Sequence, residues 1–380
     1  MEFVDMLLCN SPKTSSKRIE IVRGYALYKC KEQKITVRTI RDMLNFLCAV
    51  QNRFKCSNIP ICFDLQSATF LDKLTILIFE CLCYALVTHY HQRVLIVGYN
   101  LRQGIISEGA RSSPLLLLTT GKLGNEQKFI DKFKYDLYNN HFRQIVPASA
   151  VFNPLLSQVM HDIDTFLKNL SVQEKYRRDI ANVIVELIGN AGEHGNAATL
   201  VDVDVTNDYN KNGEEGRFRG LNLAMISLSD VQFGEALQRK ICDMTDDDYN
   251  DRYVYVKRAY ANHSQFFSEM YRPQDFFSIA AFQHNISGRP TTSLSGGTGL
   301  TKLIRSLEDM ADAHACCMLA GDRRLWFLRE FLEYNDENWI GFNKERSLMD
   351  APPDGKVLSD SDLFMPGTAF NLCFVMKEEN

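Results

Sequence analysis

The sequence predicts a mixed α/β (α+β) protein made of two units in tandem, and two observations carry that expectation. In the N-terminal third, short apolar strands alternate with helical runs, the pattern of an α/β layer. Further on, a long amphipathic helix precedes an apolar strand that runs into Asp230, and a glycine-rich loop then opens into another helix. A chain of 380 residues is long enough for two domains.

The elements follow in order. Arg18 to Val22 and Tyr25 to Lys29 read as short strands around Gly24, and Val37 to Gln51 has helical periodicity. Pro60 to Leu65 reads as a buried strand, and Asp72 is placed to cap a helix from Lys73 to His89. Arg93 to Gly98 is a third buried strand. The least legible stretch follows: Glu108 to Pro114, rich in Gly, Ser and Arg, reads as a loop, and Glu126 to Asn139 as a connecting helix. The domain boundary is expected between Asn100 and Phe152. Val172 to Ile188 is strongly helical, and Leu223 to Leu228 is an apolar strand. Ser295 to Gly299 forms the glycine loop ahead of Leu300 to Ile304, and Pro366 to Leu372 reads as a turn entering a final strand.

Composition narrows the class. The chain is 45% hydrophobic and 24% charged, ordinary globular usage, with a formal net charge of −4 and no basic block. Nucleic acid is therefore not the expected primary ligand. The most apolar run, Leu74 to Val87, is too short to span a bilayer and is broken by Glu80. Met1 to Ser16 has no basic region ahead of its apolar patch and does not read as a signal peptide. No membrane association and a cytoplasmic location are expected. The 11 cysteines form no CxxC pair and sit mostly in apolar segments, as reduced, buried thiols do. Cys81 and Cys83 lie two apart on a helix and point to different faces, so they do not share one zinc ion with His89 and His91.

The most informative segment is Glu186-Leu187-Ile188-Gly189-Asn190-Ala191-Gly192-Glu193-His194-Gly195. Glu186, Asn190 and His194 are spaced four apart and share one helical stripe, while Val183, Ile184, Leu187 and Ala191 fall on the apolar side. A carboxylate one turn before a carboxamide suits a water or hydroxyl held near a metal: the carboxylate takes a proton, and the amide oxygen ligates a hard cation such as Mg²⁺. The second segment is Asp230-Val231-Gln232-Phe233-Gly234, and the third is Gly297-Thr298-Gly299-Leu300-Thr301. In the third, successive backbone N–H groups at a helix start make an anion site.

In this order, together with Gly367-Thr368, these segments resemble the four boxes of the GHKL (Bergerat-fold) ATPase superfamily. The wording of the first box is closest to the anti-sigma-factor serine kinases. The resemblance covers roughly residues 150–380. It implies ATP and Mg²⁺ as cofactors, with Asn190 as the metal ligand, Asp230 accepting from the adenine amino group, and Gly297 and Gly299 cradling phosphates. It places Thr368 at the base pocket and brings His194, Gly234, Thr298 and Leu300 into the same site. Glu186 is the implied general base. Two departures stand out: Gln232 replaces the usual middle glycine of the second box, and Thr301 replaces a frequent glycine of the third.

The run Ile61 to Leu65, then Thr69 to Asp72 and the long apolar helix, resembles the STAS domain of anti-anti-sigma factors over roughly residues 17–105. In regulatory STAS domains the phosphorylated serine directly follows the helix-start aspartate; Lys73 stands there in this chain, and Thr75 is a poor substitute. The expected organisation is a STAS-like domain over residues 1–105, a connecting region over 106–150 and an ATP-binding domain over 151–380. The long stretch from Gly234 to Gly297 suits an enlarged lid. It holds the acidic run Asp246-Asp247-Asp248, read as a solvated face, and Tyr249, Tyr253, Tyr255 and Tyr260. Arg289 and Lys302 are candidates for γ-phosphate contact. His161-Asp162 has the form of a phosphoacceptor start but reads as a surface pair.

Three functions are carried forward: an ATPase or serine/threonine kinase with a regulatory role, a non-catalytic ATP-binding switch, and a histidine kinase. The last lacks a phosphoacceptor hairpin and usually has Asn at the position of Glu186. A protein partner is expected through the STAS-like domain or the lid, and a second copy of the chain is a further candidate.

Overall fold

The computed structural model describes residues 19–54, 59–122, 124–138, 140–152, 154–209, 216–245, 250–286, 299–310 and 316–377. The first unit contains β1 (Glu20–Val22), β2 (Tyr25–Lys29), β3 (Lys34–Ile35), α1 (Val37–Arg53), β4 (Ile61–Asp64), β5 (Thr69–Phe70), α2 (Lys73–Thr88) and β6 (Val94–Val97). Its main sheet runs β1-β2-β4-β6; β2, β4 and β6 are parallel, and β1 is antiparallel to β2. The parallel strands are short apolar runs because helices cover them. Asp72 caps α2 as its sequence position predicts: one carboxylate oxygen accepts from the Thr75 amide and from the Thr75 hydroxyl, both at 2.7 Å.

Residues 104–134 depart from the loop-and-connector reading. A 3-10 turn (Gly104–Ile106) leads into α3 (Ser107–Ser112), a second 3-10 turn (Pro114–Leu118) and α4 (Asn125–Lys134). Ile106, Ala110, Leu115, Leu118, Phe129 and Phe133 are all buried in the core of the first unit. Those apolar anchors outweigh the Gly/Ser/Arg content. The expected connecting helix stops at Lys134, where Tyr135 turns extended, and β7 (Tyr135–Tyr138) and β8 (His141–Val146) follow.

The second unit continues with α5 (Leu155–Asn169), α6 (Glu174–Gly195), β9 (Thr199–Tyr209), β10 (Phe218–Ser227), α7 (Glu235–Asp243), α8 (Asp251–His263), α9 (Pro273–Ala280), α10 (Gly299–Met310), β11 (Cys317–Trp326) and β12 (Leu358–Lys377). Six strands form one antiparallel sheet in the order β11-β12-β10-β9-β8-β7. Residues 135–146 thus belong to this sheet, and 106–150 is not a separate connector.

Strand alternation divides the sheet into two covered faces. Val201, Val203, Val205, Leu221, Leu223 and Met225 point to one face, into a core shared with α5, α6 and α10. Leu200, Ala224, Ile226, Leu319, Met365 and Ala369 point to the other and join the core of the first unit. The first unit therefore packs on the back of the second unit's sheet.

A buried ionic network crosses that junction. Lys73, at the start of α2, pairs with Asp202 and, at 2.6 Å, with Asp204 on β9. Arg143 on β8 pairs with Asp202 and, at 2.5 Å, with Glu80 on α2. His141 bridges Asp202 at 3.1 Å and Asp136 at 2.9 Å. Asn371 on β12 accepts from the Leu74 amide at 3.0 Å, fixing the start of α2 to a third strand. Burial alone would neutralise Asp202, but Arg143, Lys73 and His141 hold its carboxyl well below the ordinary range. Burial pulls Lys73 down, and the carboxylates of Asp202 and Asp204 more than offset it, leaving Lys73 above its ordinary value. Thr75 is wholly buried at this junction, so it is not a free phosphoacceptor.

The stretch after Gly234 is not an enlarged lid through its described length. Leu237, Ile241, Tyr253, Val256, Ala259, Phe276, Phe277 and Ile279 of α7, α8 and α9 lie in the main core. Buried hydrogen bonds tie this stretch to residues 334–349: His263 to the Leu348 carbonyl at 2.7 Å, and the Gln283 amide to Ile340 at 2.8 Å on both sides; within the stretch His263 also bonds Tyr271 at 2.6 Å. Tyr253, Tyr255 and Tyr260 are part of that packing; residues 246–249, the acidic run and Tyr249, lie outside the described residues.

Candidate functional site

Helix α6 runs unbroken to Gly195, so Glu186, Asn190 and His194 do share a helix, one turn apart in succession. Glu186 and Asn190 are both half-buried. The His194 side chain lies outside the described residues. The helix ends at Asn196, in the left-handed region at φ 44°.

Strand β10 carries the chain from the core to the same place. It ends at Ser227; Leu228 and Ser229 are buried, and Asp230 is exposed. The Ser229 hydroxyl donates to the Gly195 carbonyl at 2.9 Å, which ties the end of α6 to the end of β10. It also accepts from the Val231 amide at 3.0 Å and so shapes the turn beyond Asp230. Gly234 caps α7 with φ +85°, and a Cβ there would lie 2.8 Å from backbone atoms of Phe277 and Ser278. Only glycine satisfies both the conformation and the close approach.

The expected turn at Pro366 is instead a bend inside β12, one strand from Leu358 to Lys377. Gly367 sits there at φ +80°, and the pairing with β11 slips between Ala320–Thr368 and Gly321–Met365. A Cβ on Gly367 would press on the Ser227 carbonyl and lie 2.6 Å from the Ser229 amide. Thr368, half-buried, lies opposite Ser227 on β10 and opposite Ala320 on β11. Helix α10 begins at Gly299, with Leu300 half-buried in its first turn, and packs against α6. Gly297, Thr298 and Arg289 lie outside the described residues, and Lys302 is exposed.

The structure thus brings together the end of α6, the end of β10 and the bend of β12, with α10 packed alongside α6. Ser229 and Gly321 joined the site without a sequence signal. Only the bridging bond and the strand pairing reveal them. Gln232 turns its side chain toward Gly321: its amide oxygen would be 3.4 Å from a Cβ at that glycine, and its backbone amide donates to Glu235 at 2.9 Å. Thr301 is buried in α10.

Among the described residues no three His, Cys, Asp or Glu side chains gather to hold a metal ion. Asn190 instead offers one amide oxygen, a hard ligand that fits an Mg²⁺ held mainly by phosphate and water oxygens. No helix among the described residues is long and apolar enough to cross a membrane. His161 is exposed and Asp162 accepts from Gln158 at 2.7 Å, an ordinary helix-surface arrangement.

Comparison with protein-family models, with curated proteins and with solved structures finds no match to this chain.

Proposed function

We propose that the chain binds Mg-ATP at the end of its six-stranded sheet and is a regulatory ATPase or serine/threonine kinase. The observation that carries this is convergence: segments far apart in sequence meet through the Ser229–Gly195 bond and the close approach of Gly367 to Ser227–Ser229. Asn190 would hold Mg²⁺, Asp230 and Thr368 the base, and Gly297 and Gly299 the phosphates. His194, Gly234, Thr298 and Leu300 would complete the surround. The metal supplies charge neutralisation on the phosphates. Glu186 takes a proton from water or from a protein hydroxyl; that oxygen bonds to the terminal phosphorus as the bond to the bridging oxygen breaks, and ADP leaves.

The test is phosphate release by the purified chain, with a parallel search for phosphorylated protein, for wild type and Glu186→Ala. Loss of a general base slows turnover by about 10²–10⁴-fold while ATP binding is retained. Wild-type protein that binds ATP with neither phosphate release nor phosphotransfer points to the second reading, a non-catalytic ATP-binding switch. The Gln232 side chain beside Gly321 favours that second reading, because a bulky amide stands where the resemblance has glycine. A wild-type chain that binds no nucleotide sinks both.

A further inference from the structure

Two arginines and a histidine converge around residues 338–340: both arginines reach Asn338, and His284 follows Gln283, which is bonded to Ile340. His284 lies just past α9, Arg305 is on the second turn of α10, and Arg252 is in the first turn of α8. Arg252 donates to the carbonyls of Glu337 at 3.2 Å and Asn338 at 3.1 Å, and its guanidinium lies 3.8 Å from the Trp339 ring centre. Arg305 donates to the Asn338 side chain at 3.2 Å and approaches the Tyr334 ring at 5.9 Å.

Both arginines are thus held by neutral acceptors and aromatic rings, and among the described residues neither forms an ion pair with a carboxylate. Glu337 and Glu308 are near enough to act on them electrostatically, yet they form no side-chain hydrogen bond with either. Two nitrogens here are buried and, among the described residues, have no hydrogen-bond partner: Arg252 Nε, a donor, and His284 Nδ1, a donor in the tautomer protonated there. Buried donors of this kind favour an acceptor strongly. Burial first, then Arg252 and Arg305, hold the His284 imidazole below its ordinary range. The arginines therefore act on the imidazole as one positive field.

We propose that His284, Arg305 and Arg252 form a binding site for a phosphate-type oxyanion between the end of α9, the first turn of α8 and helix α10. A guanidinium fork beside an imidazole donor suits a tetrahedral, doubly charged oxyanion better than a single carboxylate. Arg305 is exposed and keeps unused donors, so the ligand enters from solvent on its side. Side chains on a helix lean toward its N-terminus, which directs Arg305 toward the start of α10. Two sources share this chemistry: the terminal phosphate of a nucleotide, which rests on the nucleotide-site reading above, and free inorganic phosphate, which does not.

The experiment measures binding of Mg-ATP, Mg-ADP and inorganic phosphate by calorimetry on the full chain. It compares wild type with Arg305→Gln, His284→Gln and Arg305→Lys. If the nucleotide's terminal phosphate is the ligand, the two glutamine variants lose about tenfold or more in ATP affinity, the worth of a charge-assisted hydrogen bond, and leave ADP near wild type. Arg305→Lys recovers part of the loss, which a purely structural role for Arg305 would not give. If free phosphate is the ligand, wild type binds phosphate, Arg305→Gln weakens it, and the ATP-to-ADP ratio stays fixed. An unchanged ATP-to-ADP ratio together with unaltered or absent phosphate binding overturns the site. Failure of wild type to bind any nucleotide overturns the nucleotide-site reading alone, and the phosphate arm still decides this one.

Discussion

Asn190 and Glu186 stand one helical turn apart, and that separation divides their expected roles. Asn190→Ala removes a hard oxygen donor while leaving the helix intact, so Mg-ATP binding should weaken far more than binding of metal-free nucleotide. Calorimetry with and without Mg²⁺ checks this, and equal losses in both conditions would remove Asn190 from the metal. Asp230, exposed just past β10, is expected to read the base. Asp230→Ala should cost ATP on the order of 1–3 kcal/mol, the worth of a matched polar contact. GTP should lose less, because it presents a carbonyl where adenine presents an amino group. Equal effects on both nucleotides would show that Asp230 does not contact the base. The helical stripe holding Glu186 and Asn190 was legible because its spacing is local. Ser229 was not, because its role depends on the distant Gly195.

Among elements, the bend in β12 gives the sharpest test. Gly367→Ala must place a methyl against Ser227 and Ser229 in a left-handed conformation, so overpacking and backbone strain add. A loss of about 2–4 kcal/mol is expected from the two together, read as a shift in denaturant midpoint. Gly24→Ala is the control: it has a similar φ of +83° but nothing within 4 Å of the new methyl, so strain alone applies. Comparable losses in both variants would mean that the close approach contributes nothing. Elements with local signals were readable from sequence: α2 through its Asp72 cap, α6 through its apolar stripe, β4 and β6 through short apolar runs. Elements decided by distant partners were not. Helix α3 lies in a Gly/Ser-rich segment, β7 continues a helical pattern, and α7 to α9 have the length of a lid, but Leu348 holds His263 of α8 while Tyr334 and Ile340 hold Phe282 and Gln283 just past α9.

At the scale of the molecule, the junction between the two units decides stability. Val201-Asp202-Val203-Asp204-Val205 has the form of a strand with one wet face, yet both aspartates are fully buried under α2. Removing one partner of a buried ion pair leaves an uncompensated charge, so Lys73→Met should destabilise the whole chain by about 3–5 kcal/mol. Adding Asp204→Asn should recover part of that loss; no recovery would argue that Lys73 acts through packing alone. The pH dependence follows from the shifts. Asp202 lies below its unfolded value of about 4, so its contribution is full above that pH and is lost as pH falls. Lys73 lies above its unfolded value of about 10.4, so its contribution is full below that pH and is lost as pH rises through the folded value. Glu80 opposes Asp202: burial, with Arg143 and Asp202 acting in opposite senses, raises it, so its contribution falls as pH rises above its unfolded value of about 4.3. Asp202→Asn should therefore blunt the acid limb of the stability profile measured by denaturant titration. An unchanged acid limb would place the sensitive carboxylate elsewhere.

The chain contains two tryptophans, and one of them is Trp339, buried in a stack on Tyr255 with ring centres 3.9 Å apart and lying against the Arg252 guanidinium. The other, Trp326, sits on β11 and donates to Ser359 at 3.2 Å. A single Trp326→Phe change thus leaves one indole, in contact with Arg252 of the proposed oxyanion site. Its emission gives the protein a built-in optical gauge of whatever reaches Arg252, with no dye attached and no substrate turned over.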